Sequence, residues 1–155
     1  MLFRSLESVG GHLDAFTGRE LTCFDARALE EHLDLSVEVL ADLVLNPRLA
    51  KEDVEKEKKV VLDEIHAYED NPDERVHDLF ADVVWSGHPL GNRILGARES
   101  VGAFTRDDVA RYHERHYVAP RILIAIAGGT AGAFVHAFLP YGYAPVSRII
   151  RGGTR

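Results

Sequence analysis

Residues Glu55 to Glu74 read EKEKKVVLDEIHAYEDNPDE. Val54, Val61, Ile65 and Tyr68 recur at helical spacing through and just before this stretch, which predicts a helix from near Lys51 to about Asp70, where DNPDE ends it. Glu52 precedes Lys56 by four residues and Glu55 precedes Lys59 by four, the ordinary ion pairs of a wet helix surface. Glu57 and Glu64 differ. Glu57 has Asp53, Val54, Val60 and Val61 as helical neighbours; Glu64 has Val60, Val61, Ala67 and Tyr68. Neither has a lysine or arginine within helical reach. Seven residues are nearly two turns, so both carboxylates share one face, roughly 10 Å apart along the axis. A carboxylate against apolar neighbours costs desolvation unless something compensates. Spacing leaves two readings open. Both groups sit at the edge of the stripe and reach water, or they face a metal, a cation from elsewhere in the fold, or backbone donors.

Upstream, residues 10–29 read GGHLDAFTGRELTCFDARAL. A Gly-Gly turn opens the segment. Leu13, Ala15 and Thr17 alternate, as do Leu21, Cys23 and Asp25, with Gly18 between the runs, which predicts two adjacent antiparallel strands. Leu29, Leu33, Val37, Leu40 and Val44 then predict a helix that stops near Asn46 and Pro47. Downstream, a third helix is expected from about Asp73 to Trp85, with Val76, Leu79, Phe80 and Val83 inside. SGHPLGNRILGARES (86–100) reads as loop and short turns. TRDDVARYHERHY (105–117) opens with a capping box, Thr105 to Asp108, and predicts a short helix. RILIAIAGG (121–129) reads as a buried strand. Strands, then helices, then a strand give an α+β class.

The chain has 155 residues, a net charge of −7 and 46% hydrophobic residues. That is the composition of a folded soluble domain of ordinary size. The acidic balance argues against nucleic acid as a partner. MLFRSLESVGG carries neither an apolar h-region nor a cleavage signature, and the apolar run from Ile122 to Ser147 is broken by Gly128, Gly129, Pro140 and Pro145. The expectation is a cytoplasmic chain with no membrane partner. Cys23 is the lone cysteine and reads as a buried small residue. His66 falls on the opposite side of the helix from Glu64 and reads as a surface residue. His88, in GHPLG, reads as a turn residue, and His113 and His116 as a solvated pair on a short helix.

Three long stretches carry a resemblance. ESVGGHLDAFTGRELTCFDA (7–26), HLDLSVEVLADLVLNPRLAKEDVEKEKKVVLDEIHAYEDNPDE (32–74) and HPLGNRILGARESVGAFTRDDVARYHERHYVAPRILIAIAGG (88–129) resemble the pitrilysin/insulinase-type zinc metallopeptidases, nearest to their processing-peptidase branch. The resemblance covers about residues 6 to 129. It implies a partial pitrilysin-type metallopeptidase domain, with a small antiparallel sheet flanked by helices. In that family an inverted H-x-x-E-H motif supplies two zinc ligands and the general base, and a glutamate from a later helix is the third ligand. The resemblance places that third ligand at Glu64 and a supporting second carboxylate at Glu57. It also implies that a peptide or unfolded polypeptide substrate docks as an added strand on His12 to Thr17, with Ala15, Phe16 and Thr17 nearest the cleavage site.

The pattern has gaps. None of the eight histidines lies in an H-x-x-E-H motif. His32 follows Glu31, but position 28 is Ala28. The expectation is that the motif lies upstream of Met1 and that a stretch near Arg4 and Ser5 is missing. After IAIAGG the chain has no acidic residue, so residues 1–129 are read as an incomplete peptidase domain and residues 130–155 as a divergent, poorly ordered tail. One carboxylate cannot hold catalytic zinc, which normally needs three protein ligands and one open position. The chain alone is therefore expected to bind no zinc, to have no catalytic residue and to be inactive. The alternative is a non-catalytic binding subunit that pairs with an intact homologous peptidase, as a homo- or hetero-oligomer. Missing elements would expose a sheet edge and an apolar patch and make the chain marginally soluble.

Overall fold

The computed structural model describes residues 6–129 and 132–140. After a short helical segment at residues 6–8 come two strands, β1 (His12–Thr17) and β2 (Leu21–Ala28), antiparallel, with Asp14 opposite Asp25 and Ala15 opposite Phe24. The turn before β1 needs glycine. The Gly11 N–H donates to the Leu6 carbonyl at 2.9 Å, and a Cβ on Gly11 would lie 2.6 Å from Leu6 Cγ. Leu6 is itself completely buried, so that side chain cannot swing aside.

Five helices follow. They are α1 (Leu33–Leu45), α2 (Lys51–Glu69), α3 (Pro72–Val84), α4 (Arg98–Ala103) and α5 (Arg106–His116). α2 matches the expected helix to within a residue, and its stripe of Val54, Val61 and Ile65 is buried. Asn71 caps α3 by accepting the Asp73 N–H at 3.1 Å, and Pro72 sits at the first helical position. The expected capping box of α5 is present, with Thr105 and Asp108 bonding reciprocally. Two further strands, β3 (Leu123–Gly129) and β4 (Gly132–Pro140), complete an antiparallel sheet in the order β1-β2-β4-β3. α1 lies on β2 and β4, while α2 packs against α3, α4 and α5. A single apolar cluster links the layers, from Phe24, Ala26 and Val135 in the sheet through Val39, Leu40 and Val44 to Val61, Ile65, Val101 and Val109. The α+β class with a small sheet flanked by helices is the fold observed.

Four local readings are corrected. β3 is not buried: Leu123 is 64% exposed, Ile124 59% and Ile126 53%. It is the last strand of the sheet, and the helical cover stops at β4. The apolar residues expected inside α3 face out instead, with Phe80 67% and Val83 78% exposed. The face that α3 turns inward is Asp78 and Ala81. Ala81 lies against the 89–91 turn, where a Cβ on Gly91 would meet the Trp85 carbonyl at 2.7 Å. His113 is buried, not solvated, because its Nε2–H donates to the Val44 carbonyl at 2.8 Å. Leu29 is exposed, and α1 begins only at Leu33, after a 3-10 turn over Glu30–His32. β4 lies beyond the expected boundary at residue 129 and pairs with β2 and β3. Residues 130, 131 and 141–155 of the expected tail lie outside the described residues.

Candidate functional site

Glu57 and Glu64 project from α2, the helix rooted in the core by Val54, Val61 and Ile65. Both are half-buried, and Oε2 of Glu64 is shut off from solvent. Each is engaged by other groups of the chain, so neither is a free carboxylate. Tyr68, one turn further on, donates its hydroxyl to the Glu74 carbonyl at 3.1 Å. Its pKa is raised by burial first and then by the carboxylates of Asp78 and Glu74.

The candidate substrate residues lie on β1. Ala15 is buried, Phe16 is 54% exposed, and the Thr17 hydroxyl lies 3.4 Å from that of Thr22 on β2. Among the described residues β1 pairs only with β2, and Ala15 and Thr17 are each engaged by further groups of the chain. On that strand the Ala15 N–H donates to Oδ1 of its neighbour Asp14 at 2.8 Å. A charged side chain thus occupies a main-chain donor, as guarded sheet edges commonly arrange.

One residue ties the two parts together. Arg19, in the turn between β1 and β2, donates to Asp78 Oδ1 at 2.8 Å, to the Leu90 carbonyl at 2.9 Å and to the Asn92 carbonyl. The end of the candidate substrate strand is thereby fastened to α3, which follows α2 directly. Sequence reading passed over Arg19. The signal was a lone arginine in an otherwise tight turn, facing an aspartate 59 residues away.

The other titratable groups have structural roles. Burial first, and then Asp25, raises the Cys23 thiol, which disfavours the reactive thiolate form. Burial raises the Tyr117 phenol well above its usual range. His66 is exposed, with Nδ1 3.0 Å from Arg98 Nη1, and His88 Nδ1 accepts the Leu90 N–H, both as expected. A cleft of about 790 Å³ opens between α3, the 91–97 loop, α4 and α5, and none of the five candidate site residues lines it. Among the described residues, no group of three or more histidine, cysteine, aspartate or glutamate side chains could hold a metal ion. The residues described here therefore do not fit a catalytic zinc, which takes three protein ligands. No described helix is long and apolar enough to cross a membrane.

The small antiparallel sheet flanked by helices matches a partial domain of the pitrilysin type. The model of the insulinase family, peptidase family M16, matches residues 1–98, and the chain belongs to that family. It is 39% identical over 149 residues to a protein of Mycobacterium leprae named as an uncharacterized zinc protease, covering 96% of this chain and 33% of that protein. Two proteins with the same description are similar. One, from Bacillus subtilis, is 37% identical over 131 residues, covering 84% of this chain and 32% of its own. The other, from Streptomyces coelicolor, is 37% identical over 124 residues, covering 80% and 27%. The chain thus spans about a third of the length of these relatives.

Proposed function

We propose that this chain carries the third-ligand helix and the substrate strand of a zinc metalloendopeptidase and does not hydrolyse peptide bonds by itself. Glu64 is the metal-facing carboxylate and Glu57 its supporting partner. An extended polypeptide adds to the β1 edge beside Ala15, Phe16 and Thr17 through main-chain hydrogen bonds. The observation that carries the reading is the α2 face, where two half-buried glutamates seven residues apart ride on a stripe rooted in the core. The family match supports it, and so do relatives named as zinc proteases. No zinc-dependent step is assigned to the chain alone, since the described residues assemble no three-ligand set.

The test is zinc per chain by elemental analysis after gel filtration, beside Glu64→Ala and a peptidase assay. The expected result is far less than one zinc per chain in both proteins and no hydrolysis. Stoichiometric zinc that vanishes in Glu64→Ala would overturn the claim of inactivity.

A second reading, a binding subunit for an intact homologue, is favoured by the exposed apolar face of α3. Capture of that homologue with stimulated peptidase activity would support it; no capture would remove it.

A further inference from the structure

The cleft between α3, the 91–97 loop, α4 and α5 is lined by no residue of the proposed peptidase site. Its volume of about 790 Å³ falls within the range of small-molecule sites, roughly 300–1,000 Å³. All of its walls come from one continuous stretch, residues 78–116. Those walls are fastened. Arg19 holds Asp78 together with the Leu90 and Asn92 carbonyls, and Arg93 Nη1 lies 3.1 Å from Glu69 Oε1. The loop is thus pinned both to the β1–β2 turn and to the end of α2, and the cleft is formed before any ligand arrives.

The lining narrows the ligand. On the α5 side Tyr112 and His116 stack, with ring centroids 4.4 Å apart and 29° between the planes. Phe104 adds a third ring at the end of α4. On the loop side Gly96, at φ +77°, and Ala97 leave a wall with almost no side chain. Ring faces and bare backbone favour a flat ligand over a branched one.

Charge decides the rest. Three of the lining residues are charged acids or bases, and two of them are answered: Asp78 by Arg19 at 2.8 Å and Arg93 by Glu69. Among the described residues the third, Asp82, has neither a hydrogen bond nor an ion pair. One negative charge is left over. His116 does not cancel it, because burial first, and then Arg121 and Arg115, hold its imidazole below the usual range and keep the ring neutral at neutral pH.

We propose that this cleft binds a small planar aromatic cation, with its rings against Tyr112, His116 and Phe104 and its positive group towards Asp82. An anion of the same shape meets an unanswered carboxylate, and a neutral molecule gains the rings alone. This inference does not rest on the peptidase reading.

The test is a titration of the full chain with three tricyclic probes of one shape: 9-aminoacridine, a cation at neutral pH, uncharged acridine, and acridine-9-carboxylate. The cation should bind at least about fivefold more tightly than acridine, and the carboxylate more weakly than either. Asp82→Asn should remove about fivefold of the cation's affinity, the effect of one partly exposed charge pair, and leave that of acridine unchanged. Asp63→Asn removes the same charge from an exposed position on α2 outside the cleft and should change neither. In NMR spectra bound 9-aminoacridine should shift the imidazole signals of His116 and leave those of His12 on β1 in place. No binding of the cation, equal affinity for cation and acridine, equal weakening by Asp82→Asn and Asp63→Asn, or an unmoved His116 would each overturn the assignment.

Discussion

Arg19 and Asp78 are joined at 2.8 Å across 59 residues of sequence, with the Asp78 side chain only 10% exposed. Two more of the guanidinium N–H groups donate to carbonyls of the 90–92 segment. One side chain therefore sets three things: where the β1–β2 turn ends, which face α3 turns inward, and where the following loop begins.

Arg19→Ala should lower stability by about 3 kcal/mol, because it leaves Asp78 charged and nearly buried without its partner. Arg19→Lys should recover only part of this. An ammonium lacks the planar fork that reaches a carboxylate and two carbonyls at once. Urea unfolding of the three proteins measures both. Equal stability in all three would mean that the clamp is incidental.

Asp14 should act against strand addition at β1. Its carboxylate already holds the Ala15 N–H, a donor available to an incoming peptide. Asp14→Ala should raise the affinity for an unstructured peptide several-fold, and Asp14→Asn, a weaker acceptor, by less. Fluorescence anisotropy with a labelled peptide reads this directly. Unchanged affinity would place the peptide elsewhere.

His113→Phe keeps a ring in the site but removes the donor to the Val44 carbonyl. That carbonyl belongs to the last turn of α1, where helical partners run out. The expected loss is about 1–2 kcal/mol by thermal or urea unfolding.

Much of this fold was legible from local chemistry, and the misses share a cause. The stripe of Val54, Val61 and Ile65, the break at Asn71 and Pro72, and the Thr105–Asp108 box are decided within a few residues, and each stands where the sequence put it. The readings of Phe80, Val83, Leu123 and Ile126 as interior residues failed because apolar periodicity says which face could be buried, not whether anything covers it. For α3 the deciding contact was Asp78 with Arg19, a long-range pair without a local signature. His113 failed likewise, since its acceptor is 69 residues away. At the candidate site, the placement of Glu57 and Glu64 beside the core stripe followed from helical spacing. Their assignment to a metal came from resemblance, and no periodicity carries it.

The stability of α5 should fall with acid in two stages. His116 is held below the usual imidazole range by burial first, then by Arg121 and Arg115, and Arg121 Nη1 donates to its Nδ1 at 2.9 Å. Asp108 is held below the usual carboxylate range by its hydrogen bonds from Thr105. Both folded-state values are depressed. Each contribution is therefore complete above the unfolded value, about 6.5 for histidine and about 3.9 for aspartate, and is lost as pH falls through the folded one. Arg121→Ala should raise the His116 value in an NMR titration and flatten the melting-temperature profile just below pH 6.5. Thr105→Ala should cost about 1 kcal/mol at neutral pH through the lost cap.

The outward face of α3 gives the sharpest contrast between stability and association. Phe80 and Val83 are exposed, so Phe80→Glu and Val83→Lys remove little buried contact and should each change stability by no more than about 0.5 kcal/mol. An uncovered apolar patch does act on solubility and on binding of an apolar dye. Both variants should bind the dye more weakly and stay soluble at higher concentration. If instead either variant loses several kcal/mol, these side chains are packed in solution and something covers α3. That result would favour the binding-subunit reading, since the covering group would have to come from a second chain or from residues outside those described.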